Sequence, residues 1–180
     1  MSLRLRSGGG GKRSGQEMSH GLAAGFAESR RWSDSQDEHR FVRSYRLAVS
    51  TRARLELLNL TGRLAAVVRA SGVRDGLAVL SSLHTTTALF LNEWQPALLT
   101  DIQRFLEQLV PRDRHYRHND PRFSDCERSN ADAHLRALLL GHQLVLPIQA
   151  GTLALGPFQA VILAELDGPR QRNLQLQILG

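Results

Sequence analysis

The stretch His142–Gly180, HQLVLPIQAGTLALGPFQAVILAELDGPRQRNLQLQILG, decides the fold class. Gln143–Pro147, Ala160–Leu166 and Leu174–Leu179 read as strands, and the turn-rich segments Gly151–Pro157 and Asp167–Pro169 separate them. The longer run Leu135–Leu166 is apolar enough to suggest a membrane segment. His142, Gln143, Pro147, Gln149 and Gln159 interrupt it before any apolar run reaches about 18 residues, so it reads as a buried helix and strands.

Working toward the N-terminus, Asn130 or Asp132 is expected to cap a short helix through Leu140, stopped by Gly141. Pro96 opens an amphipathic helix that carries Leu98, Leu99, Ile102, Phe105, Leu106 and Leu109 and ends at Pro111. Leu77–Leu83 and Ala88–Leu91 form a strand-like pair. Thr61 is expected to cap a helix through Ala70 with Gly72 as its stop. Tyr45–Ser50 and Leu55–Leu60 read as two further strands. Strands and helices follow one another without regular βαβ alternation, which predicts an α+β fold: a mainly antiparallel sheet or sandwich with a few packed helices and no internal repeat.

The chain of 180 residues thus divides into a domain over 39–180 and a tail over 1–38. The tail is rich in Gly, Ser and Arg, has no sustained apolar period, and is expected to be disordered. A weak secretory signal around Gly21–Ala27, a transit-like leader and a true start at Met18 are the competing readings of it. The formal charge is +6, and between Met1 and Arg31 the basic residues Arg4, Arg6, Lys12, Arg13, Arg30 and Arg31 stand against only Glu17 and Glu28. Residues 1–31 thus carry a net +4 of their own, and nucleic-acid binding is not expected of the domain. The single cysteine, Cys126, excludes an internal disulfide and a CxxC pair, in keeping with a reducing, cytoplasmic setting.

Three places carry chemistry. His84-Thr85-Thr86-Thr87 sits where a hydrophobic strand ends, with Asn92-Glu93 close behind; imidazole, hydroxyl and carboxylate there can face one cavity, or simply make a turn. Pro111–Asn130 is a long polar segment bearing His115 and His118, and His134 follows Asp132 at the start of the short helix. His84, His118 and His134, one imidazole from each of three segments, are expected to converge. Three His ligands with an open position suit a Zn²⁺-like ion, and a His/Asp mixture suits other divalent metals such as Mg²⁺. Finally, Arg170 and Arg172 alternate after a turn, where they can grip a phosphate or be merely solvated.

The order of LHTTTALFLNE, Asp101 in a helix, YRH, ADAHLRALLLG, GTLALGPFQAVILAE and RQR resembles the YjbQ family over nearly all of residues 39–180. The resemblance implies a small α+β protein that assembles as a homotrimer. It implies a transferase activity, secondary thiamine-phosphate synthase: a pyrimidine diphosphate is joined to a thiazole phosphate with release of pyrophosphate, as a side activity. It places His84, Asn92, Glu93, Asp101, His118, His134, Gln159, Glu165 and Arg172 on family motif positions and leaves His115 off them. Glu93, Asp101, Asp132 and Glu165 are the expected catalytic carboxylates; Thr85, Thr86, Asn92, Gln159, Arg170 and Arg172 the expected substrate and phosphate contacts; His84, His118 and His134 the expected ligands of a divalent ion. Gly156-Pro157-Phe158-Gln159 departs from the family's Gly-Thr-Trp-Gln, removing a hydroxyl and an indole N–H. A non-catalytic trimeric module that binds a metal or small anion is the alternative.

Overall fold

Period-2 burial is clearest in the last strand, β8 (Gln171–Leu179), where Arg172, Leu174, Leu176 and Ile178 are buried while Asn173 faces out. In the computed structural model, which describes residues 41–180, β8 lies between β1 (Val42–Ser50) and β3 (Gly76–Ser82). The sheet continues through β5 (Gln143–Gln149) to the two-residue β6 (Thr152–Leu153), giving the order β1-β8-β3-β5-β6. A second sheet has the order β2-β7-β4, with β2 at Glu56–Asn59, β4 at Thr87–Asn92 and β7 at Ala160–Glu165. Every pairing in both sheets is antiparallel. The expectation of a disordered tail over 1–38 falls outside the described residues.

All six residues of β7 are buried, so it must be covered on both faces. Val161 and Leu163 face the five-stranded sheet across a core that includes Leu80, Leu146, Leu174 and Leu176, closed by Leu64 and Val68 of α1 (Thr61–Ser71). Ala164 faces the other way, into a smaller cluster with Leu106 of α2 (Pro96–Leu109) and Ala133 and Ala137 of α3 (Ala131–Leu140). The result is three layers: five strands, three strands, then α2 and α3. Each fully buried Leu or Ile stabilises this arrangement by about 1.5–3 kcal/mol relative to leaving it in water. A Leu163→Ala change would cost about 2–5 kcal/mol through the lost transfer term and the cavity it leaves.

The helix ends differ from expectation in an informative way. Gly72 does end α1 in the left-handed conformation, at φ 74°. Thr61, however, lies inside the helix, and its Oγ1 accepts from the Val161 N–H at 2.9 Å, tying α1 to β7. Pro96 opens α2 behind Gln95, whose side chain caps Leu98 N–H at 2.7 Å. At the start of α3, Asn130 occupies the cap position but makes no capping bond. Its side chain is engaged elsewhere, in the cleft described next.

Candidate functional site

Ser82, the last residue of β3, begins the tight link to β4. Its Oγ contacts Thr87 Oγ1 and accepts from the His84 N–H at 3.2 Å, which holds the HTTT turn against the strand ends. The His84 ring reaches across to β8, where its Nε2 accepts the Asn173 N–H at 2.8 Å. An imidazole nitrogen that accepts a backbone N–H is unprotonated, so the proton of neutral His84 sits on Nδ1. Burial lowers the pKa of His84 below 6.5, and the Arg172 guanidinium pushes in the same direction against the opposing pull of Glu165.

Beneath this turn lies a buried ion pair. Arg172 donates from Nε to Glu165 Oε2 at 2.6 Å and from Nη2 to Glu165 Oε1, and also to Thr86 Oγ1 at 3.1 Å. Glu165 further accepts from Thr51 Oγ1 at 3.0 Å and the Asp167 N–H at 2.8 Å. The two side chains are 2% and 0% exposed, and such charges persist in a core only when paired and hydrogen-bonded in this way. The guanidinium expected to grip a phosphate is therefore largely occupied by Glu165.

The turn after β7 carries a second junction. Asp167 Oδ2 accepts from Asn130 Nδ2 at 2.9 Å, Arg128 Nε at 3.2 Å and Arg170 Nη2 at 3.2 Å, and Oδ1 accepts from Arg54 Nη1 at 2.9 Å. Gly168 sits so close to the end of β1 that a Cβ there would collide with the Ala53 carbonyl and Thr51 Oγ1. Only glycine allows that approach. Asn130 does not cap α3: its Nδ2 donates to Asp167, and the oxygen that would cap the helix is turned to Cys126 Sγ at 3.7 Å.

The long segment after α2 brings the remaining imidazole. His118 lies in a single 3-10 turn, Arg117–Asn119, and Asn119 Oδ1 accepts the Ala131 N–H at 3.0 Å, anchoring the turn to the first residue of α3. His134, one turn into α3, meets His118 with ring centroids 5.0 Å apart at 85°. His118 Nε2 is buried without a hydrogen-bond partner in the protein. Burial lowers the pKa of His134, assisted by His118 and opposed by Asp167 and Asp132.

His84, His118 and His134 line one cavity of about 360 Å³ together with Thr85, Thr86 and Cys126. Its far wall is Arg128, Arg170, Arg172 and Asp167; Arg128 and Arg170 share Asp167 while Arg172 is paired with Glu165, so three guanidiniums face two carboxylates and the small positive excess favours an anion. A more apolar cavity of about 480 Å³, with Leu135, Ala137 and Leu138, shares Leu83, His84, Thr85 and His134 with the first. The pair offers a polar end for phosphate and an apolar end for a ring.

The metal reading meets a mixed donor set. His118 and His134 are neighbours and His118 has an unengaged nitrogen, but His84 Nε2 already accepts a backbone bond. Among the described residues, no three His, Cys, Asp or Glu side chains are arranged to hold an ion together. As placed, the residues fit two imidazole ligands and not the three-histidine cage.

The other expected site residues lie elsewhere. Thr87 pairs with Glu165 at the cavity end of the three-stranded sheet, and Asn92 pairs with Ala160 at the opposite end. Five residues of strand separate them, about 17 Å. Asn92 and Glu93 are exposed at that opposite end, as is Gln159, whose Oε1 accepts the Gly156 N–H at 2.9 Å. Asp101 is exposed on α2. His115 is 73% exposed, beside Asp120 and outside the cavity. Sequence reasoning missed Arg54, Thr51, Arg128, Asn130, Asp167 and Asn173. Asp167 was legible only as part of a turn, and nothing local to Arg54 or Thr51 marks them.

Comparison with known proteins identifies the family and the fold. Residues 45–180 match the family described as "UPF0047 protein YjbQ-like". A UPF0047 protein of Methanothermobacter thermautotrophicus is 40% identical over 139 residues, covering 77% of this chain and 93% of that protein. One from Archaeoglobus fulgidus is 42% identical over 133 residues, covering 74% and 98%. The crystal structure of a YbjQ-like protein of unknown function from Sulfolobus solfataricus is similar with a TM-score of 0.73 at 34% identity, over 79% of this chain and 99% of that one. No helix among the described residues is long and apolar enough to cross a membrane.

Proposed function

This chain belongs to the UPF0047 family of YjbQ-like proteins, and from that premise we propose that it is an enzyme acting on a phosphorylated small molecule held in the histidine–arginine cavity. The observation that carries the reading is the convergence of His84, His118 and His134 on a wall of guanidiniums. Two of these imidazoles, His84 and His134, are biased toward the neutral form near pH 7; His134 can then act as a base or ligand, whereas His84, whose Nε2 already accepts the Asn173 N–H, can offer its Nδ1–H as a donor. Arg170 keeps Nε and Nη1 clear of Asp167, so it can meet phosphate oxygens while remaining aligned.

The reaction proposed is the secondary thiamine-phosphate synthase reaction of the family resemblance. The thiazole nitrogen attacks the pyrimidine methylene carbon, the bond from that carbon to the diphosphate oxygen breaks, and the electron pair leaves with pyrophosphate. Arg128 and Arg170 would neutralise the leaving charge, and the apolar cavity beside Leu135 and Leu138 would take a ring. A divalent ion belongs in this reading to His118 and His134, and when bound it would supply further charge neutralisation. Asn92, Glu93, Asp101 and Gln159 would serve the cavity only from a neighbouring copy, which the proposed homotrimer would provide.

The test is to incubate the purified chain with the pyrimidine diphosphate and thiazole phosphate, with and without added Zn²⁺ or Mg²⁺, and to follow thiamine phosphate and pyrophosphate. Turnover that falls at least tenfold in His118→Ala and Arg170→Met supports the reading. Stoichiometric pyrophosphate binding with no turnover would leave the non-catalytic anion-binding module in its place; the prealigned Arg128–Asp167–Arg170 wall, which needs no chemistry to explain it, favours that second reading.

A further inference from the structure

We infer that Arg54 is a positioning residue for the cavity, acting through Asp132 and Asp167; the inference rests on reading that cavity as an anion site. Arg54 belongs to the short link between β1 and β2 and is not among the residues that line the cavity. Its guanidinium joins two buried carboxylates: Asp167, which does line the cavity, and Asp132, which stands behind it on the helix that carries His134. Nη1 donates to Asp167 Oδ1 at 2.9 Å and Nη2 to Asp132 Oδ1 at 3.0 Å, and those side chains are 3% and 0% exposed.

Each carboxylate controls one wall. Asp167 gathers Arg128, Asn130 and Arg170 on its other oxygen, so its orientation sets where the Arg170 guanidinium points. Asp132 stands two residues before His134 in the first turns of α3, so its anchor sets the helix that presents the imidazole. One planar fork therefore fixes the spacing between the imidazole wall and the guanidinium wall, which come from chain segments far apart in sequence. A lysine cannot do this: a single ammonium on a flexible stem has no rigid pair of donors to span two carboxylates on different elements.

What Asp132 has besides Arg54 does not replace it. Its Oδ2 has no hydrogen bond, and the nearest cation, Arg136 Nη1, stands 3.4 Å away while Arg136 Nε and Nη2 hold the Val110 carbonyl at the end of α2. The rear of Arg54 is also reachable. It opens into a separate cleft of about 390 Å³ with Leu55, Glu107, Arg112 and Arg136, and the Arg54 side chain is 27% exposed there. Truncating Arg54 would thus leave a guanidinium-shaped space open to solvent between two carboxylates.

That geometry permits chemical rescue. Pyrophosphate affinity of the full chain would be measured by calorimetry for the native protein, Arg54→Ala and Arg54→Lys, each with a thermal melt and circular dichroism. Arg54→Ala is expected to weaken binding by roughly 10–100-fold, the range typical of residues that orient a binding group from behind. Millimolar methylguanidinium should restore most of that loss, whereas methylammonium at the same ionic strength should not. Arg54→Lys should bind about as poorly as Arg54→Ala despite its charge, and it carries the test if the alanine variant does not fold. Native affinity in Arg54→Lys, native affinity in Arg54→Ala, or equal rescue by both cations overturns the inference. Failure of the native protein to bind pyrophosphate is a different result: it removes the anion-site reading and this inference with it.

Discussion

The two ends of the three-stranded sheet are built from the same strands and share a wealth of polar side chains, yet only one end is organised. Where Thr87 pairs with Glu165, both residues are 0% exposed, and the nearby carboxylates are tied to Arg172, Thr51 and Arg54. Where Asn92 pairs with Ala160, Asn92, Glu93 and Gln159 stand in solvent with short local bonds. The difference is what surrounds each end. The link after β1, the 3-10 turn, α3 and the β7–β8 turn all meet at the first and bury its polar groups, most of which are paired within the protein, His118 Nε2 and Asp132 Oδ2 excepted.

The sharpest way to break the contrast is to remove one matched carboxylate from each end. Glu165→Ala leaves the Arg172 charge buried and unpaired and should destabilise the fold by about 3–5 kcal/mol, whereas Glu93→Gln should change stability by less than about 0.5 kcal/mol. Urea midpoints of the two variants check this, and equal losses would show that the ends are not as different as their burial implies.

A smaller effect on stability, but a large one on binding, is expected at the rim. His118→Ala should leave the melting temperature nearly unchanged, because its ring packs on another ring at the cavity edge and not in either core cluster. Pyrophosphate affinity or turnover should fall by at least about tenfold. A variant that binds normally would detach the histidine pair from the site.

The smallest effect concerns pH. His84 has its pKa lowered in the folded protein, so the unfolded chain binds more protons as pH drops. Its contribution to stability is complete above about 6.5 and declines as the pH falls through the lowered value. The native protein should lose some stability as the pH falls below about 6.5, before the carboxylates titrate, and His84→Gln, whose side-chain oxygen can still accept the Asn173 N–H, should make that limb shallower, His134 contributing the rest. Identical profiles for the two proteins would place the proton-linked loss elsewhere.

How far the sequence revealed this follows the same line of division. Local signals were sufficient for the strands and for the Pro96 start and Gly72 stop, because each depends on periodicity or on an element's edge; His84, His118 and His134 line one cavity, but among the described residues no three ligand side chains are arranged around one point. A sandwich was among the expectations, but which strands go to which sheet was not legible, nor was β6, because two residues carry no period. The cap of α3 was misread for a physical reason: Asn130 has the right chemistry, and Asp167, distant in sequence, takes it. Arg54 was invisible because arginine in a short link normally faces solvent, and only the fold brings two carboxylates to it.

The pairing of β1 with β8, Val42 opposite Leu179, has a consequence for how the protein comes into being. During synthesis the first strand leaves the ribosome long before its partner, and β3 must also wait for β8 at its other edge. The bonds that close the cavity span similar distances along the chain, 114 residues from Thr51 to Glu165 and 113 from Arg54 to Asp167. Such high contact order makes assembly slow and leaves apolar strand edges unprotected meanwhile. A nascent chain cut short before Asp167 would already contain all three cavity histidines and yet have no pocket, so the last dozen or so residues act as the clasp that turns an aggregation-prone intermediate into a working protein.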